Sequence, residues 1–432
     1  MLVALHHASY VFAPDLQAWL AGRFDPGQYG VLLFFLVSGY IVPASLERHG
    51  SVRAFWIGRI FRLYPLLAVA CLLGVLPFLL GLRGLRAGLE EFHPVTAVLA
   101  HATMLQDLLA VPNAINVLWT LSYEMAFYLL IVALWVLGGQ RLSGPVAVGL
   151  AVLALPAGAL LPAALLSRAA GVGPVVVVAA TVLVVAVAAA MSEHRGLRTA
   201  GGLLGGLLAV TLVAANGRIE AWEGAVMLAV MFAGTAVYRA EHGQVSRRAT
   251  ALALGAVLAA ILAAVTWNPR LGTTAAQAWQ DQWIWVSSLL PAVATFGGAW
   301  LLRRRRFPRW TTGLGTASFS VYLLHPILLM VSAQFLGLWG RQNVPALLVF
   351  VVVLVGVSWA SHRWIEAPAQ RAGRRLSRRA IRASVVGGSR VVAVPDQPSA
   401  DHGRPHVLGP GTAQNGGEIR VEQDEVGGGA RT

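Results

Sequence analysis

The chain has 432 residues, of which 57% are apolar and 12% charged, with a mean hydropathy of +0.66, whereas a soluble domain carries about a quarter charged residues. Too few polar side chains exist to cover soluble surfaces on this scale, so an integral membrane protein is expected. A single cysteine, Cys71, excludes disulfide frameworks, thiolate zinc sites and iron–sulfur clusters. The net charge of +14 comes from arginine alone, since the chain has no lysine; these arginines sit in short loops between apolar runs and in the tail, so nucleic acid is not an expected partner.

In chain order, a short apolar stretch comes first, at residues 1–12. As a helix it reaches about 18 Å, against a hydrocarbon core of about 30 Å, so the true start is expected upstream of Met1. Longer apolar runs follow at residues 29–46, 63–82, 117–137, 145–165, 172–191, 198–215, 221–238, 249–267, 283–302, 316–339 and 344–364. Together they predict an all-α polytopic membrane bundle of about 10–12 transmembrane helices. Between the third and fourth segments, residues 97–109 with His101, Met104 and Leu105 are expected to form an interfacial helix on the outer leaflet, capping a site. The membrane domain is expected over residues 1–368, a basic juxtamembrane segment over 369–382, and a disordered cytoplasmic tail over 383–432, where Gly, Pro, Ser and Asp dominate.

Charge bias supports twelve passes independently. With the first segment running outward, one set of loops holds Arg48, Arg53, Arg59, Arg62, Arg141, Arg195, Arg198, Arg239, Arg247, Arg248, Arg303 to Arg306 and Arg309, more than twice as many arginines as the opposite set. Cytoplasmic loops are enriched in basic residues, so both ends of the chain are expected in the cytoplasm of a plasma-membrane protein.

Ionisable side chains inside a span are costly and mark function by default. Glu124 is the one acidic residue well inside an apolar run; the histidines within runs are His6, His7 and His325, and His362, Arg363 and Glu366 close the last. Glu124 lies about 10 Å and His7 about 8 Å below the same surface. At one level they are expected to pair, the carboxylate orienting an imidazole that takes a proton from a hydroxyl. His6 points elsewhere on the helix, and His325, followed by Pro326, also suits a helix kink. Arg59 and Arg62, at i and i+3 near a cytoplasmic end, fit a cationic mouth for a phosphate-bearing donor.

Seven short motifs then occur in order. Residues 2–7 form an apolar run ending in His7; Gly30, Val31, Leu33, Phe34, Phe35, Ser38, Gly39 and Tyr40 follow; next come Arg59, Arg62, Leu63, Tyr64 and Pro65. The most specific is Trp119-Thr-Leu-Ser122-Tyr-Glu124, running on to Tyr128; Phe232 with Gly234, Ser318 to His325, and Ile365, Glu366 and Pro368 complete the set. In this order they resemble the acyltransferase 3 family of integral membrane acyltransferases, from the N-terminus to Pro368. The pattern departs from the family in three places. An arginine that the family carries ahead of the first-helix histidine would fall before Met1, Gly58 stands where paired arginines are common, and Met125 replaces a second carboxylate.

The resemblance implies transfer of an acyl group, usually acetyl, from cytoplasmic acyl-CoA to a hydroxyl of a carbohydrate or glycosylated metabolite. Acyl-CoA is then a co-substrate, with no bound cofactor and no metal, and the bilayer and the acceptor are the other partners. It implies His7 and Glu124 as catalytic residues, and Arg59, Arg62 and Tyr64 as donor-binding residues. Trp119, Ser122, Tyr322 and His325 are expected to touch the acyl group or the acceptor. The competing class is a secondary transporter, which twelve spans with intramembrane His and Glu also suit. Against it stand a solitary carboxylate and the lack of a visible internal repeat.

Overall fold

The computed structural model describes residues 1–267, 274–335, 337 and 339–388, and among these every regular element is a helix. The chain order is α1 (Leu2–Phe12), α2 (Pro14–Leu20), α3 (Pro26–His49), α4 (Val52–Leu79), α5 (Pro94–Ala102) and α6 (Trp119–Val136). Next come α7 (Ser143–Leu160), α8 (Leu165–Ala170), α9 (Val172–Ala190), α10 (Arg195–Ala215), α11 (Ala221–Glu241) and α12 (Arg247–Trp267). The last are α13 (Ala275–Leu302), α14 (Arg309–Thr316), α15 (Ser318–Met330), α16 (Val344–Ser361) and α17 (Ala367–Gly388). Ten described helices are long and apolar enough to cross a membrane, eleven when the bent pair α14–α15 counts as one span, and α1 is a shorter apolar helix. Each of the eleven expected runs falls on one of these.

The spans run back and forth between two faces. On one face the start of α16 meets the end of α1, where Asn343 N donates to Phe12 O at 2.8 Å. On the other, Tyr238 and Arg239 at the end of α11 both donate to Glu47 at the end of α3. The second face carries the arginine-rich loops, so charge and connectivity agree on a twofold division of the molecule.

Two helices occupy the centre. In α6 and α11, 83% and 89% of the most apolar window is buried, against 22% in α7, α9 and α13, which face outward. α11 packs on α3 and α7, α10 on α6 and α9, and α1 lies between α3 and α15. Lipid supplies no hydrophobic drive between helices, so close approach of small residues does this work. At the α3–α11 crossing a Cβ on Gly39 would fall on the backbone carbonyl of Met231, and one on Gly234 on that of Leu36. Thr235 Oγ1 donates to Gly39 O at 2.8 Å across the same crossing. Gly234→Ala is therefore expected to lower stability by about 1–3 kcal/mol, the usual cost of overpacking. A thermal melt of the detergent-solubilised protein, followed by size-exclusion chromatography, checks this; an unchanged midpoint would refute the tight crossing.

Three expectations change. The segment placed on the outer leaflet is buried instead: Met104, Leu105, Leu108 and Leu109 are 1% exposed or less, and α5 packs on α9. Its two tight turns at Met104 and Ala110 have φ of 57° and 58°, and a polar cluster anchors it. Asn113 Nδ2 donates to Asp107 Oδ1 at 2.9 Å, and Gln106 Nε2 donates to Asn113 Oδ1 at 3.0 Å and to Leu118 O at 2.9 Å. Burial raises the Asp107 pKa, opposed by the Asn113 bond and nearby Arg218. Side chains also satisfy backbone groups here, at Ala102 O, Asp107 N, Ala114 N and Leu118 O, which an interfacial helix does not require.

The run at 316–339 is not one straight helix, because α14 and the segment from Ser318 to Gln334 meet at 65° and Pro326 lies inside α15. The basic segment 369–382 belongs to α17, which continues as helix to Gly388, so the first residues assigned to the tail are helical. α17 folds back on α4: Ser377 Oγ donates to Ala54 O at 3.3 Å, and Gly373 packs on Phe61. The rest of the expected tail, 389–432, lies outside the described residues.

Candidate active site

α1 carries no charged residue, and its two histidines are its strongest polar groups. Packing against α15 brings His7 to His325: Nδ1 of His7 lies 2.9 Å from Nε2 of His325, and the rings stack with centroids 5.2 Å apart. On the far side of its ring, His325 Nδ1 lies 3.1 Å from the carbonyl oxygen of Val321, one turn back along α15. A carbonyl only accepts, so His325 Nδ1 carries the hydrogen and, in the neutral ring, Nε2 holds a lone pair. His7 Nδ1 must then donate to that lone pair. The chain of bonds leaves His7 Nε2 as an unshared lone pair, the form a general base requires.

His7 sits where two cavities meet, since both it and His6 line each of them. The first, about 430 Å³, is bordered by Arg83, Arg86, Asn116 and Gln334. The second, about 260 Å³, is bordered by Asp25, Trp119, Glu223, Trp285 and Tyr322. The buried segment after α5 contributes Ala114, Ile115 and Asn116 to the first cavity, so the loop expected to cap a site does border one.

The expected partnership of His7 with Glu124 is replaced. Glu124 accepts from the hydroxyl of Tyr128, one turn further along α6. Over the Tyr128 ring lies the Arg59 guanidinium, 5.1 Å from its centroid and 5.3 Å from that of Phe55. Trp119, not Glu124, is the α6 residue that borders the cavity with His7; Glu124 lies five residues on, about 7.5 Å deeper along the helix. A carboxylate more than a helical turn below the cavity wall is out of reach of the imidazole, and Tyr128 takes it instead.

The other expected site residues divide in the same way. Tyr322 lies beside His325, ring centroids 6.0 Å apart, and its hydroxyl donates to Val117 O at 2.9 Å. Arg62 is exposed while Arg59 is 7% exposed. The Tyr64 hydroxyl donates to Ala102 O at 2.8 Å. Ser122 Oγ accepts from Asp107 N at 3.2 Å. Tyr64 and Ser122 therefore hold the buried segment rather than facing either cavity. Among the described residues no three His, Cys, Asp or Glu side chains converge as metal ligands would.

Sequence reasoning missed Asp25 and Glu223, and gave Tyr128 only as the end of a motif, with no role at the site. Asp25 caps α3, accepting from Gly27 N at 2.7 Å and Gln28 N at 3.0 Å, and lies 3.5 Å from His6 Nε2. The Asp25-Pro26 pair was a readable helix-start signal. Glu223 opens α11 and resembles any acid in a first helical turn, so nothing local singles it out.

The site lies inside a class of protein that the fold defines, a polytopic membrane helical bundle, with an imidazole at the junction of two cavities. The acyltransferase domain model of the acyltransferase 3 family matches residues 1–363, and the chain belongs to that family. Acyltransferase MdmB of Streptomyces mycarofaciens is 33% identical over 129 residues, 29% of this chain and 33% of that protein. The chain thus spans about a third of the length of the curated relative it matches. No solved structure matches the chain.

Proposed function

We propose that the protein is a membrane O-acyltransferase that moves an acyl group, acetyl in the first instance, from cytoplasmic acyl-CoA to a hydroxyl of a carbohydrate or glycosylated small molecule. The observation that carries this reading is the lone pair of His7 Nε2, fixed by His325 and open to two cavities. The acceptor hydroxyl gives its proton to His7 Nε2 as its oxygen attacks the thioester carbon. The tetrahedral adduct then collapses, the C–S bond breaks, and His7 returns the proton to the departing thiolate. Each His7 turnover is proton-neutral, as a general base that becomes the general acid requires.

Arg59, on the arginine-rich side of His7, is the candidate for donor contacts, together with the Tyr128–Glu124 pair beneath it. A hydrogen bond to a charged group contributes about 1.5–3 kcal/mol. Arg59→Ala is accordingly expected to raise KM for acetyl-CoA by about ten- to a hundredfold, with Arg59→Lys between it and the wild type. Unchanged saturation by acetyl-CoA would remove Arg59 from the donor site. The arginine-rich face, with α17, is proposed to lie in the cytoplasm of a plasma-membrane protein.

The deciding experiment is mass spectrometry of glycans and secreted metabolites from a deletion strain, complemented with wild type or His7→Ala. Loss of an alkali-labile ester that only the wild type restores supports the reading. Persistence of every ester, while a compound merely changes sides of the membrane, replaces it with transport.

A further inference from the structure

The two cavities that meet at His7 carry opposite charge. Arg83 and Arg86 border the first, with no carboxylate among its lining residues. Asp25 and Glu223 border the second, with no arginine. The second also contains His6, which is 8% exposed; its Nε2 faces Asp25 while its Nδ1 has no hydrogen-bond partner. Its remaining walls include the rings of Trp119, Trp285 and Tyr322.

Two carboxylates on the wall of one small chamber, with no arginine beside them, draw a cation into it. Asp25 is met in part by the amides of Gly27 and Gln28 and by His6 Nε2, whereas among the described residues no side chain donates to Glu223. Aromatic walls add attraction for a cation over their faces, and acyl-CoA, a polyanion, is repelled from the same space. The chamber therefore suits the acceptor rather than the donor. Resting on the acyl-transfer reading above, we infer that this chamber binds an ammonium group on the acceptor: the substrate class is an amino sugar or a molecule bearing one.

The arrangement also accounts for O- over N-transfer on such an acceptor. An amine held as ammonium by Asp25 and Glu223 has no lone pair and cannot attack the thioester. A neighbouring hydroxyl facing His7 Nε2 remains the nucleophile.

The test uses the full-length protein in nanodiscs and two probes that differ at one position, methyl 3-amino-3-deoxyglucopyranoside and methyl glucopyranoside. Isothermal titration at neutral pH is expected to show the amine binding at least about tenfold tighter, the fold-change of one charge-assisted hydrogen bond. In Glu223→Gln, with an unchanged melting temperature, the two probes should bind within about twofold of each other. Glu223→Asp should retain part of the preference. Equal binding of both probes to the wild type, binding of neither, or a preference that survives Glu223→Gln overturns the inference. Transfer of labelled acetyl from acetyl-CoA is scored separately. An amine preference without transfer to either probe sinks the enzymatic reading and leaves the cation site standing.

Discussion

His7→Gln is expected to lower kcat for acyl transfer by about 10²- to 10⁴-fold, the range general-base assistance contributes, while the protein still purifies as a folded species with an unchanged melting temperature. His7 is only partly buried, and its ring edge borders two cavities, so removing the imidazole costs little packing. The amide of Gln still donates to His325 Nε2 but offers no basic nitrogen to the acceptor hydroxyl. Initial rates with saturating acetyl-CoA, on protein shown to be monodisperse, give the answer. A kcat within a few fold of wild type would mean that the proton goes elsewhere and that the His7–His325 pair is structural.

The second large effect concerns His325, which touches neither cavity and acts through His7. Its Nδ1–H is committed to Val321 O, and its Nε2 lone pair dictates which nitrogen of His7 stays bare. In His325→Leu the His7 hydrogen is free to move to Nε2, and the base is lost in that tautomer. Loss of tautomer control in a Ser-His-Asp triad costs about 10⁴ in kcat; here, without a buried carboxylate, about 10²-fold or more is expected. The loss should fall on kcat with KM for both substrates little changed, and His325→Gln, whose amide oxygen can accept from His7 Nδ1–H, should recover part of it. A structural role predicts otherwise: equal loss in both variants, in step with a lower melting temperature. Such a result would remove His325 as a positioning residue.

Much of this was readable before any coordinates. Apolar run length places each span, because a helix crossing hydrocarbon needs about 20 apolar residues whatever its neighbours are. His7 and His325 stand out for the related reason that ionisable groups are rare inside such runs. Their partnership was not readable. His7 is 318 positions from His325, and only the packing of α1 against α15 sets the two rings face to face. Glu124 was the natural partner by counted depth, but counting assumes that both helices start at one level, and α6 sets that carboxylate about 7.5 Å beyond Trp119, against Tyr128 and below Arg59.

The buried segment after α5 shows the same limit. Its apolar residues suit the surface of a bilayer or the inside of a bundle equally well. What decides is whether neighbours supply partners for its backbone, and here Ser122, Tyr64 and His101 do. Composition, charge bias and the spacing of ionisable groups thus determined class, span order, the two faces and the histidines, since each follows from the cost of moving a residue into hydrocarbon. The tertiary structure alone decided the His7 tautomer, the replacement of Glu124 by His325, and the opposite charges of the two cavities. Those depend on which faces of distant helices meet, a matter of packing shape that no local pattern encodes.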